Sequence, residues 1–136
     1  RVFARLCRVM IVRHAFTGYR VVGHSVVSIG RKIDPGEWFD WAWLAGEGVG
    51  HWVEPEPVGG GRFFQEGDSG PPVEALQTML SLYGYETETH GIFGPGTRGA
   101  VMAFQRHFRP ERIDGIADAS TIATLHKLLS ALPSLA

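Results

Sequence analysis

The chain has 136 residues, enough for one ordinary domain or two small ones, and its 44% apolar and 20% charged composition is that of a globular protein. A formal net charge of −1 gives no general electrostatic reason to expect nucleic acid or an anionic membrane as partner. No apolar run approaches the ~20 residues that span a bilayer, and the single cysteine, Cys7, excludes an internal disulfide and a multi-cysteine metal cage.

The chain opens at Arg1 inside a helical pattern, which reads as a piece of a longer chain or a processed product. The lack of a leader is therefore uninformative. Up to about His14, Val2, Leu6, Val9, Met10 and Arg13 recur at helical spacing and predict a helix with an apolar stripe. Cys7 reads as a small apolar residue on that helix. Tyr19 to Gly23 is a short β-branched run bounded by glycines and predicts a buried strand. Ser25 to Gly36 reads as a loop with a turn at Asp34-Pro35-Gly36, and Glu37 to Leu44, with Trp38, Phe39, Trp41 and Trp43, as a short docked helix. Between Ala45 and Glu66 the glycines and prolines indicate a linker, while Trp52, Phe63 and Phe64 suggest that parts of it lie against a domain.

The remainder is the most regular part. Val73, Leu76, Leu80 and Tyr83 share one helical face after Pro71 and Pro72, which a first turn tolerates. Val101, Phe104 and Phe108 mark a second helix, and Ile122, Leu125 and Leu129 a third, with Asp118 placed as its N-cap. An internal repeat runs through this region. Gly91-Ile92 is followed by Thr97 and Val101, and Gly115-Ile116 by Thr121 and Leu125, at equal spacing. Each copy reads as a loop-to-helix unit: a glycine for the tight turn, an isoleucine for the core, a threonine near the helix start. Gln77 and Gln105 are placed to order loops by hydrogen bonds.

The residues Gly67-Asp68-Ser69-Gly70, Ala75-Leu76-Gln77, Tyr83-Gly84-Tyr85, Gly91-Ile92-Phe93-Gly94, Ala103-Phe104-Gln105 and Asp114-Gly115 together resemble the peptidoglycan-binding module found at the ends of many wall hydrolases. The resemblance spans the whole segment and implies a three-helix fold that binds peptidoglycan or muropeptides. A groove lined by Tyr83, Tyr85 and Phe93 is the expected contact with substrate.

In the first part, His24 and Asp34 stand ten residues apart with Lys32 two before the aspartate. Imidazole and carboxylate are both zinc donors, and a lysine can stabilise a developing oxyanion. By spacing alone, His24 reads equally as a structural residue. The longer run Val21-Val22-Gly23-His24-Ser25, Gly30-Arg31-Lys32-Ile33-Asp34-Pro35-Gly36 and Phe39-Asp40-Trp41 is similar to the C-terminal part of the type 2 N-acetylmuramoyl-L-alanine amidases. That resemblance implies His24 and Asp34 as ligands of a Zn2+ ion, Lys32 as catalytic, and hydrolysis of the amide between N-acetylmuramic acid and L-alanine. The family has aspartate where Val26 stands and Ala-Pro where Ser28-Ile29 stands. Its remaining zinc ligand and catalytic glutamate belong to an earlier part of the domain that has no counterpart here. His14 has no ligand role in the family, and His51, His90, His107 and His126 are expected at the surface.

The expected architecture is an α+β remnant of a zinc amidase domain (residues 1–45), a linker (46–66) and an all-α three-helix peptidoglycan-binding domain (67–131). The expected protein is a monomer of the bacterial periplasm or cell envelope, with this chain inactive alone. The alternative is a non-catalytic wall-binding protein with a degenerate amidase portion. The cluster Arg106, His107, Arg109 and Arg112 is offset by Glu111 and Asp114 and carries no nucleic-acid motif.

Overall fold

The computed structural model describes residues 1–132. Its regular elements are all helical: α1 (Val2–His14), a 3-10 turn (Gly18–Arg20), α2 (His24–Val27), α3 (Trp41–Gly46), α4 (Pro71–Tyr83), α5 (Pro95–Phe108) and α6 (Ala119–Ser130). Among the described residues there is no strand, only the isolated antiparallel bridges Phe64–Ala117 and Ser69–Ile92. The α+β expectation is thereby corrected to all-α. The segment read as a strand is the 3-10 turn followed by an extended link. A strand is stable only when a neighbour takes up its amide and carbonyl groups, and Val21-Val22 has no such neighbour among the described residues.

The helical module follows its predicted periodicity in the main, though Ile92, read as a core residue of the repeat, is 57% exposed, and Leu128 rather than Leu129 is the fully buried residue at the end of α6. Val73, Leu76 and Leu80 of α4, Val101, Phe104 and Phe108 of α5, and Leu125 and Leu128 of α6 are essentially fully buried in one core. Pro71 and Pro72 occupy the first turn of α4. The Asp118 carboxylate caps α6, accepting from the Thr121 amide at 2.7 Å.

The sequence repeat has a shared physical basis. Gln77 Oε1 accepts from the Gly91 amide at 2.8 Å, and its Nε2 donates to the Ile92 carbonyl at 2.9 Å and to Thr97 Oγ1 at 2.8 Å. Gln105 does the same one unit later, accepting from Asp114 and Gly115 and donating to the Ile116 carbonyl and Thr121 Oγ1. Each glutamine is fully buried and ties a glycine turn to the start of the next helix. The turns need glycine, since Gly91 and Gly115 lie at φ 78° and 76°.

A second, smaller cluster gathers Ala4, Trp41, Leu44 and Val49, with Cys7, Ile11, Val21, Phe39 and Trp52 against it. The packed face of α1 is thus Ala4–Cys7–Ile11. The face predicted as the apolar stripe points outward, with Val2, Leu6 and Val9 at 83%, 58% and 61% exposure. Both faces of α1 are apolar at helical spacing, so periodicity alone could not choose between them.

Residues 47–66 contain no regular element but lie along the module. The Glu56 amide donates to Thr124 Oγ1, Ser120 Oγ donates to the Glu56 carbonyl, and Lys127 Nζ bonds the Glu54 carbonyl and the Glu56 carboxylate. Trp52 packs against both cores.

Candidate amidase half-site and its attachment to the helical module

Three local features bring His24 to Asp34. A Cβ on Gly23 would lie 2.5 Å from Pro35 Cδ, so only glycine lets the two chain segments approach this closely. The Ser25 amide donates to the Asp34 carbonyl at 3.0 Å, and the Arg31 and Lys32 amides both donate to the Ser28 carbonyl, which shapes the loop between. As a result His24 Nδ1 and Asp34 Oδ2 stand 2.6 Å apart, with their side chains 67% and 59% exposed. The hydrogen bond from His24 holds the Asp34 carboxyl below its ordinary value, and the charge of nearby Lys32 adds to this. His24 and Asp34 line an apolar depression of about 360 Å³ with Phe3, Val22 and Phe39.

An imidazole and a carboxylate this near and this exposed are donor types that zinc takes; at 2.6 Å they are hydrogen-bonded to each other, and a small separation of the two would be needed to hold a metal between them. A catalytic zinc takes three protein donors. Among the described residues no three His, Cys, Asp or Glu side chains come together. The donor set is compatible with the metal and is incomplete.

The remaining expected site residues lie elsewhere. Tyr85 and Phe93 are each 1% exposed and belong to the module's core. In this arrangement those two rings meet protein rather than solvent. Tyr83 is part-buried, stacked between His51 and Tyr85, with its hydroxyl 3.1 Å from His51 Nδ1, and burial raises its phenol above the ordinary value. His14 is exposed on α1 and His126 on α6. His107 departs from the surface expectation. It is 4% exposed, sandwiched between Trp41 at 4.0 Å and Phe108 at 3.9 Å, and burial pushes its pKa down to about 3. Arg109 is also interior. It pairs with Asp118 at 2.9 Å and bonds Thr121, which removes it from the surface basic cluster.

Two residues that depart from the family pattern acquire a role. Val26 is 5% exposed and joins the module's core, and Ile29 packs against it where Gly99 leaves room. Among the described residues, α2 of the first part packs on α5 of the module. The loop that carries His24 and Lys32 is therefore seated on the module by apolar side chains. The sequence signalled both positions as departures without showing what they touch.

Residues 69–125 match the family described as "Putative peptidoglycan binding domain". Over 127 residues, 91% of this chain and 45% of the relative, the sequence is 35% identical to the N-acetylmuramoyl-L-alanine amidase AmiD of Escherichia coli. The fold is similar to that of AmiD solved in complex with the substrate anhydro-N-acetylmuramic acid-L-Ala-D-gamma-Glu-L-Lys. There the TM-score is 0.74 at 32% identity, covering 94% of this chain and 49% of AmiD. It is also similar to AmpDH3 from Pseudomonas aeruginosa, with a TM-score of 0.73 at 27% identity over 97% of this chain and 52% of that one. The chain spans about half the length of these relatives. It is homologous to part of the AmiD and AmpDH3 N-acetylmuramoyl-L-alanine amidases, with a peptidoglycan-binding domain over residues 69–125.

Proposed function

We propose that this chain serves a peptidoglycan amidase that cleaves the bond between N-acetylmuramic acid and L-alanine, and that it supplies the wall-binding module together with half of the catalytic centre. The observation that carries this reading is that one alignment to AmiD runs through both the His24–Asp34 loop and the helical module, over 94% of the chain. AmpDH3 has likewise been solved with an anhydromuramic pentapeptide. A wall substrate places the protein in the periplasm or cell envelope. No helix of the described residues is long and apolar enough to cross a membrane.

In this reading His24 and Asp34 hold Zn2+, which when bound supplies Lewis-acid polarisation of the scissile carbonyl. Asp34 brings the negative charge that a divalent cation needs. Lys32, exposed on the same loop, donates a charged hydrogen bond to the carbonyl oxygen as it becomes negative. With two donors in place of three, the chain alone binds zinc weakly and does not hydrolyse the amide. The test is release of stem peptide from a purified muropeptide. This chain should release none, and release abolished by a chelator would overturn the half-site assignment. In the complete amidase, Lys32→Ala should lower kcat by about 10²–10³ with little change in KM.

A second reading, a wall-binding protein without catalysis, draws on the burial of Val26 in the module's core, where the amidase pattern has aspartate. It predicts that His24→Ala and Asp34→Ala in the complete protein change nothing in a muropeptide assay, whereas the amidase reading predicts loss of activity in both.

A further inference from the structure

An apolar groove of about 480 Å³ runs between α4 and α6 and shares no lining residue with the depression beside His24 and Asp34. Its origin is legible in the sequence. Ala75 on α4 and Ala119 and Ala123 on α6 line it, and side chains this short leave the helices' facing edges open over a floor of Met79 and Ile122. The reciprocal bonds between Phe64 and Ala117, at 3.0 and 2.8 Å, fasten the preceding segment along the start of α6 and bring Arg62 to the groove. Arg62 and His126 are the only ionisable side chains that line it. Both are exposed, and among the described residues neither takes part in an ion pair.

We propose that this groove is the module's binding site for the stem peptide of peptidoglycan, the methyl groups of its alanines seated on the floor and a carboxylate held by Arg62. The inference rests on the wall-binding reading above and deepens it. A stem peptide such as the L-Ala-D-gamma-Glu-L-Lys solved with AmiD brings an alanine methyl and free carboxylates, which an apolar floor with a cationic edge can take, while its lysine amine extends to solvent. A glycan strand would call for a stacking platform of aromatic rings, and the groove offers a single ring, the half-buried Phe64.

The test is isothermal titration of the full chain with a soluble N-acetylmuramoyl tetrapeptide, alongside sedimentation with purified peptidoglycan. Ala123→Trp fills the groove from an exposed position, and Arg62→Glu reverses its charge at an exposed one. Each should weaken tetrapeptide binding by about tenfold or more while leaving the thermal midpoint unchanged. Raised salt should weaken the wild type and leave Arg62→Glu less affected. If the wild type sediments with peptidoglycan but ignores the tetrapeptide, or if both variants bind it as the wild type does, the groove is not the site and the wall-binding reading stands. If the wild type does neither, both fall.

Discussion

Gln77 and Gln105 show how much one side chain can organise. Each is buried, and each satisfies the amide of a glycine turn that has no other partner in the repeat. Replacing Gln105 by Leu keeps the volume and strands the buried Gly115 amide and the part-buried Asp114 amide. The expected cost is about 2–4 kcal/mol, a lower thermal midpoint by circular dichroism with the helical signal retained below it. An unchanged midpoint would show that the glutamine is ornamental. Val26 makes the complementary case. Val26→Asp places a carboxylate where exposure is 5%, and should lower stability by about 2–4 kcal/mol. Because Val26 seats the loop on α5, the same change should open residues 24–34 to proteolysis before the module is cut.

At the scale of elements, what the sequence made legible depended on whether a pattern had one solution. The three helices of the module each had a single apolar face; of the residues named from periodicity, Val73, Leu76, Leu80, Val101, Phe104, Phe108 and Leu125 are buried, while Tyr83, Ile122 and Leu129 are partly buried at its edge. Helix α1 is apolar on two faces, and the packed one was decided by what Trp41 and Leu44 present to it, which is tertiary information. Tyr19–Gly23 has strand-like composition but no pairing neighbour among the described residues, and composition cannot supply one. The His24–Asp34 pair was legible only with the longer run around it, because a ten-residue spacing fixes no distance; the Gly23–Pro35 approach does. His107 was misread because a histidine in the helical module carries no sequence sign of the aromatic rings that enclose it. Arg109 too proved interior, and the ring between Trp41 and Phe108 is a contact distant in sequence.

That ring makes the junction between the two clusters sensitive to pH. Among the groups facing His107, α3 contributes Trp41, and residues 41–46 contain no titratable side chain. The connecting segment contributes His51, whose own pKa burial lowers, and α4 contributes Tyr83 beyond it. The one charge acting on His107 is the like charge of His51 when protonated. Folding holds His107 near 3 against about 6.5 in the unfolded chain, so the unfolded state takes up the extra proton as pH falls. Stability from this group is complete above about pH 7, declines from about pH 6.5, and is reduced by roughly 2 kcal/mol at pH 5. Asp34, whose pKa is lowered, acts below that window, since it loses stability only as carboxylates protonate. Urea melts at pH 7 and pH 5 should therefore differ for the wild type, and the difference should shrink in His107→Phe, which preserves the stack. Equal pH dependence in the two proteins would rule His107 out as its source.

For the whole molecule, two clusters of different size are joined by aromatic stacking, by Val26 and Ile29 on α5, and by a connecting segment bonded along α6. The arrangement holds the candidate zinc loop and the helical module in one fixed relation, so that under the proposed function anchoring on the polymer would also position the chemistry. The account is tested most directly by sedimenting the full chain with purified peptidoglycan at low salt. It predicts that most of the chain moves to the pellet and is released by soluble muropeptide. A chain that stays in the supernatant would contradict it.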